Sequence, residues 1–276
     1  GKSNVLNSIQ NSSVIGESND LSNNVLNSLS IGKENKGGKS QNTAIFGFKN
    51  NTQEDENVLI SGNNNSTKKN NASTIMGTTN SVVDCSDSFI MGENHNVFSN
   101  GRVVVYGEYN DMSGNTINSM IQGRHNYLNS LINSVIFGEN QDISGSTNLL
   151  AQGKSNTALN TNNSVLVGKD NKVKNSDEMA VFGSKNDISG STIHSLVAGY
   201  NNQENNGDYN ATFGTLNNVK NSKASVITGK ENKDTNGNQS TIVGSFHEVT
   251  GSTNTLTQGM QNKVTSSSQS VIMGHI

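Results

Sequence analysis

Side chains able to do chemistry are sparse in this 276-residue chain. Five histidines (His95, His125, His194, His247 and His275), one cysteine (Cys85) and one acidic run (Glu54-Asp55-Glu56) are the groups that could act as acids, bases, nucleophiles or metal ligands. Catalysis needs such groups brought together, and the sequence offers no pattern that would do so. Asp20, Asp111, Asp142 and Asp187 share one column of the repeat described below, but no two lie in adjacent coils. Glu54-Asp55-Glu56 reads as a solvated turn. Cys85 reads as a small residue in a turn or strand, without neighbours that would activate a thiol. Calcium-binding glycine–aspartate nonapeptides do not occur. The expectation is a non-catalytic protein with no metal or cofactor.

Recognition chemistry has better material. Phe98, Tyr109 and Tyr127 lie in non-core columns of three consecutive repeats, accompanied by His95, Arg124 and His125. Stacked coils would place these six on neighbouring corners, and Tyr and Arg are favoured interface anchors. They are the receptor-binding candidates. Tyr200, Tyr209 and Phe246 form a second, looser set. Charges just after the glycines alternate along the chain, as in Lys33, Glu93, Glu108, Arg124, Glu139 and Lys154, a pattern that avoids stacking like charges.

The elements that must position these residues follow from glycine. Nineteen glycines, from Gly1 through Gly138 to Gly274, recur at intervals of 15 residues in fifteen cases and 16 in three. A fixed period over the whole chain is the mark of a solenoid, in which each repeat stacks on its neighbours. Aligned on glycine, the repeats read Ser-apolar-apolar-apolar-Gly-x-x-Asn-x-apolar, as in Ser134-Val135-Ile136-Phe137-Gly138. Short β-branched runs predict strands. Fifteen residues hold two short strands and two turns, with glycine at a corner where positive φ is free of steric cost. Stacked Asn side chains can bond from coil to coil as a ladder. The prediction is an all-β, parallel, single-stranded β-roll or β-solenoid spanning residues 1–276 as one domain of about eighteen coils. At ~4.8 Å per coil it would be a rod on the order of 85 Å long. The 16-residue repeats begin at Gly16, Gly107 and Gly183 and predict a bulge or longer turn.

Strand residues alternate faces. The positions three and one before glycine share a face and are assigned to the interior, with the apolar residue five after glycine. The position two before glycine then points outward. It forms a ridge of Ile45, Ile60, Ile75, Ile90, Val105, Ile121 and Ile136. So long an apolar strip is not left open to water, so these seven are expected to be buried against other copies of the same chain in a closed symmetric assembly.

With these motifs the chain resembles the head of YadA-like trimeric autotransporter adhesins, through the repeat Asn133-Ser134-Val135-Ile136-Phe137-Gly138 and its many copies. The resemblance covers essentially the whole chain. It implies left-handed β-rolls packed around a threefold axis, binding a host cell-surface glycoprotein. It also implies display on the bacterial surface through an outer-membrane anchor in a C-terminal region beyond this segment. Where the family puts small residues two before and three after glycine, this chain has Ile/Val and Asn. The Asn- and Lys-rich, proline-free style is similar to that of fusobacterial trimeric adhesins. That similarity implies a carcinoembryonic-antigen-family cell adhesion molecule as receptor, within the broader expectation for an adhesin head of a cell adhesion molecule or a matrix protein.

Composition narrows the rest. Net charge is −3 and basic residues are not clustered, which argues against nucleic acid. No apolar stretch is long enough for a membrane helix. The repeat is cut at both ends, so the segment is expected to belong to a longer surface protein. Three rivals share parts of the pattern. A phage tail-fibre solenoid would also be trimeric and receptor-binding. An ice-binding solenoid would need a regular Thr ladder, and the threonines here are irregular. A polysaccharide-cleaving β-helix would have larger coils and clustered carboxylates.

Overall fold

The protein is described by a computed structural model covering residues 1–98 and 101–275. It divides into two compact units, Gly1–Asn140 and Gln141–Ile276, built from the same kind of coil. Among the described residues there are short parallel strands and no helix, so the parallel β-solenoid with coils of about fifteen residues stands.

One coil of the first unit shows the design. A five-residue strand, Ala44–Phe48, carries Gly47; the chain turns at Lys49 (φ 56°) into a three-residue strand, Asn51–Gln53. It turns again at Glu54 (φ 58°), crosses a third side where Glu56 bridges to Gln41 and Asn71, and turns at Asn57 (φ 57°). The next strand, Leu59–Asn63, lies in register on the first. Each coil therefore has three sides and three left-handed corners, one more of each than the sequence predicts.

The glycines do line up in files. Gly47 pairs with Gly62, Gly62 with Gly77 and Gly77 with Gly92 in the first unit. Gly153, Gly168 and Gly183 do the same in the second. Yet the glycine is not the corner. It lies inside the five-residue strand, and the turn comes two residues later. Glycine is required there for a different reason. At Gly168, φ is +132°, and a Cβ would strike the carbonyl oxygen of Gly183, well inside the 3.0 Å that real Cβ contacts respect.

The interior receives five side chains per coil. Two are apolar: those two before and five after glycine. The seven ridge residues are among the most deeply buried in the molecule, each 0–1% exposed within a single chain. Ile45, Ile60, Ile75, Ile90, Val105, Ile121 and Ile136 are therefore core, not an interface between copies. Strand alternation was assigned the right pairs of residues but the opposite faces. The positions three and one before glycine look outward, as the half-buried Ala44 and Phe46 show. The inversion has a cause. Three of the five inward positions are polar, so a narrow coil has room for only two apolar residues.

The polar columns bond along the stack. Asn171, three after its glycine, donates from Nδ2 to the Gly183 carbonyl (2.9 Å) and from its own backbone N–H to Oδ1 of Asn156 (3.1 Å). Asn186 repeats the pattern on Asn171. The expected Asn ladder exists, but it is buried, and each amide uses both its donor and its acceptor. Four before glycine, Ser164 donates to the Asn162 carbonyl (2.7 Å) and accepts from the Met179 N–H (3.0 Å). A buried polar group costs little once bonded in this way.

The extra residue of the 16-residue repeats sits at the second corner. Ser113 still pairs with Asn129, but Ile117 pairs with Ile132, one position out of step, across Gly114 (φ 72°). Ser189 and Gly190 (φ 75°) behave likewise. The Ser-Gly turns bend this corner, as the sequence suggests.

Carboxyl groups also occupy the interior. Asp55, expected in a solvated turn, is buried. It accepts from Thr67 Oγ1 (2.6 Å) and from the Asn70 N–H (2.8 Å), so it stands in for a ladder amide. In the second unit Glu204 and Asp234 replace the apolar residue five after glycine. Each is matched three residues later by a glycine, Gly207 and Gly237, where a Cβ would collide with the carboxyl. Ser195 Oγ and Asn210 Nδ2 donate to Glu204 Oε1, both at 2.9 Å. Neither oxygen of Asp234 has a well-aligned hydrogen-bond donor. Ser222 and Ser225 lie beside it, but their hydroxyls donate to the carbonyls of Lys220 and Lys223.

Burial raises the pKa of Asp234 above the usual carboxylate value. A raised folded pKa contributes stability that is complete below the unfolded value, near 3.8, and is lost as pH rises through the folded one. Asp234→Val, which restores the residue type of neighbouring coils, is expected to stabilise the protein at pH 7 by about 1–3 kcal/mol. The gap to the native chain should narrow as pH falls toward 4. Thermal melts of both proteins between pH 4 and 7 measure this; a variant less stable than the native chain at pH 7 would show that Asp234 is satisfied after all.

Candidate functional site

Corners are where this fold displays side chains. The residue two after each repeat glycine from Gly1 to Gly259 has positive φ and points away from the coil, so successive corners bring side chains into contact about one strand spacing apart. Asn or Gly takes this conformation at the least cost. Tyr109 (φ 52°) and His125 (φ 55°) take it in adjacent coils. Their rings stack at 4.9 Å between centroids and 6° between planes. The same corner column carries Leu216 (φ 58°) and Phe246 (φ 60°), so this corner holds large side chains in the left-handed conformation in both units.

Around this stack the structure joins part of the predicted set. Arg124, next to His125, reaches Glu139 Oε1 at 3.3 Å, and Glu108 pairs in register with Arg124 one coil away. Tyr127, two residues after His125, is 63% exposed. The stacked Tyr109 and His125 thus form an aromatic corner, with Arg124 just before it between Glu108 and Glu139, and Tyr127 the first residue of the strand that leaves it. Phe98 is exposed too, but it lies six after its glycine on the three-residue strand, two coils from Tyr127 and in another column. It does not join the cluster.

His95 is a correction. It is 1% exposed and belongs to the buried ladder, so no receptor can reach it. Its Nδ1 accepts the Asn110 N–H (3.2 Å) and its Nε2 faces the Met91 carbonyl (3.2 Å). This is the donor and acceptor pattern of the Asn it replaces, and it requires a neutral ring protonated on Nε2. Burial pushes its pKa below the usual histidine value. His247 fills the same role between Val243 and Asn262.

The looser set does not assemble. Tyr200 bonds Lys185 through its hydroxyl (3.2 Å), and Phe246 lies under Lys230 (5.6 Å). Tyr209 instead stacks on His194, at 4.4 Å and 1°. This pair is invisible when residues are sorted only by distance from glycine into core and non-core. The signal was the 15-residue separation of the two rings, which puts them in one corner column.

A second surface was missed because its faces were inverted. The outward columns three and one before glycine carry Leu59, Met76, Phe89, Met91, Tyr106 and Phe137 in the first unit. In the second they carry Val167, Phe182, Phe213, Val226 and Val243, with Phe182 and Val226 each 41% exposed. Among the described residues, each unit thus has a sheet face that carries half-buried to exposed apolar side chains. Among the described residues no helix is long and apolar enough to cross a membrane, and no group of three or more His, Cys, Asp or Glu is placed to hold a metal ion. Neither a protein-family model nor a curated protein sequence matches the chain.

Proposed function

We propose that this chain is the non-catalytic head of a trimeric adhesin displayed on the bacterial surface, where it binds a host cell-surface glycoprotein. A carcinoembryonic-antigen-family cell adhesion molecule is the sharpest receptor assignment. The observation that carries the reading is the outward apolar face. Phe182, Phe213, Val226 and Val243 lie on it in the second unit, with Thr228 and Thr241 between or beside them in register, and exposed apolar surface of this kind is characteristically a contact site. Closed association of identical chains covers such a face. The interface of the trimer is then the columns three and one before glycine, not the Ile/Val column two before it. The exposed corner of Tyr109, Arg124, His125 and Tyr127 contacts the receptor, with three copies acting together.

One experiment tests both halves. The native protein is expected to show the mass of three chains by light scattering and to bind host epithelial cells. The double variant Phe182→Glu/Val226→Glu places charge on the outward face while leaving the interior intact. It should retain its β circular dichroism, shift to the mass of one chain, and lose apparent affinity for cells tenfold or more through lost avidity. A native protein that is one chain at micromolar concentration, or that binds no host cell, would sink the proposal.

A further inference from the structure

The geometry points to a saccharide subsite on the free face of Tyr209, a stacking slot for one pyranose ring. It is distinct from the Tyr109 corner and does not depend on the assembly of three chains.

The slot is built from one corner column of the second unit: Glu178, His194, Tyr209, Ala224 and Gln239, one residue from each successive coil. All five have positive φ, between 51° and 56°, so each side chain leaves its corner in the same way. Tyr209 is 57% exposed. His194 lies parallel against one face of its ring. The histidine is itself held, with Nε2 3.0 Å from Glu178 Oε2 and Nδ1 3.4 Å from Asp208 Oδ1. The tyrosine ring is thereby fixed across the direction of coil stacking. Its other face is turned toward the next coil, where the column offers only the methyl group of Ala224. The following residue, Gln239, is two coil spacings from Tyr209, about 9.6 Å. That leaves a gap one ring thick between an aromatic floor and an amide.

The rim selects the occupant. Asp208 and Lys223 pair in register, with Lys223 Nζ 3.6 Å from Asp208 Oδ2. The rim thus offers a carboxylate acceptor, an ammonium donor and, from Gln239, an amide that does both. Each charge has a partner, so the slot favours a neutral ligand rich in hydroxyl groups over an ion. A pyranose suits it: one face of the ring presents C–H groups to the aromatic floor, and its edge presents hydroxyls to the rim. An arginine side chain would also stack on tyrosine, but it would meet Lys223 with like charge.

The test uses saturation-transfer NMR on the whole chain with the methyl pyranosides of glucose, galactose, mannose and N-acetylglucosamine. At least one is expected to receive saturation on its ring C–H protons, with millimolar affinity. Ala224→Gln fills the slot without touching the His194–Tyr209 stack, and Gln is already native to this column at Gln239 and Gln269, with φ of 55° and 51°. It should weaken binding at least tenfold, as should Tyr209→Asn. Thermal melts should show both variants folded. The proposal fails if no pyranoside receives saturation, if Ala224→Gln binds as the native chain does, or if arginine methyl ester is bound in preference to every sugar. Since the light-scattering assay reads a different surface, failure of one proposal is distinguishable from failure of the other.

Discussion

Gly168→Ala should cost about 4 kcal/mol of stability, from two sources that add. The backbone there has φ +132°, a region an L residue occupies at a cost of about 1–3 kcal/mol. The new methyl also drives into the Gly183 carbonyl oxygen, and overpacking a rigid backbone costs about another 1–3 kcal/mol. Nor can the neighbour step aside, because that carbonyl already accepts the Asn171 Nδ2–H. Gly38→Ala is the matched control. Its Cβ would meet only the Ser22 carbonyl oxygen, at an ordinary 3.7 Å. Urea denaturation of the two variants should show a large fall in midpoint for the first and a change within about 0.5 kcal/mol for the second. Equal effects would mean that the glycine file is not set by close approach of backbones.

A carboxylate at Ile121 should abolish the fold of the first unit. Ile121 is fully buried and pairs in register with Val105 and Ile136. Ile121→Asp removes an aliphatic side chain worth about 2–5 kcal/mol by truncation. It also strands a charge whose burial costs several kcal/mol more. Asp234 shows what a coil needs to hold such a group: a glycine three residues on and serines alongside. In the two coils around Ile121 the inward position that Gly237 fills beside Asp234 is taken by Thr116 and Leu131, not glycine. Circular dichroism should report loss of β structure. A folded monomer would instead restore Ile121 to the surface and to the interface between copies.

The fold was legible in the sequence because a solenoid is nearly one-dimensional. Each residue's neighbours are those one period away, so Gly62 on Gly77 and Asn171 on Asn186 follow from counting alone. The pairing of Tyr109 with His125 was legible for the same reason. Residues whose role depends on the path of one coil were not. His95 has the chemistry of a binding residue, yet it sits in a buried ladder because imidazole can copy both hydrogen bonds of an amide. Tyr209 was grouped with Tyr200 and Phe246 and not with His194, because the third corner of the coil was not foreseen.

Counting along the chain settled the period, the parallel in-register stacking and which residues share a face, since alternation in a strand is a property of the backbone itself. It could not settle which face is inside. That depended on three corners closing a coil too narrow for more than two apolar side chains, with Asn and Ser/Thr filling the remaining inward positions. Tertiary closure sent Ile60 and Ile121 into the core and turned Phe182 and Val226 toward water.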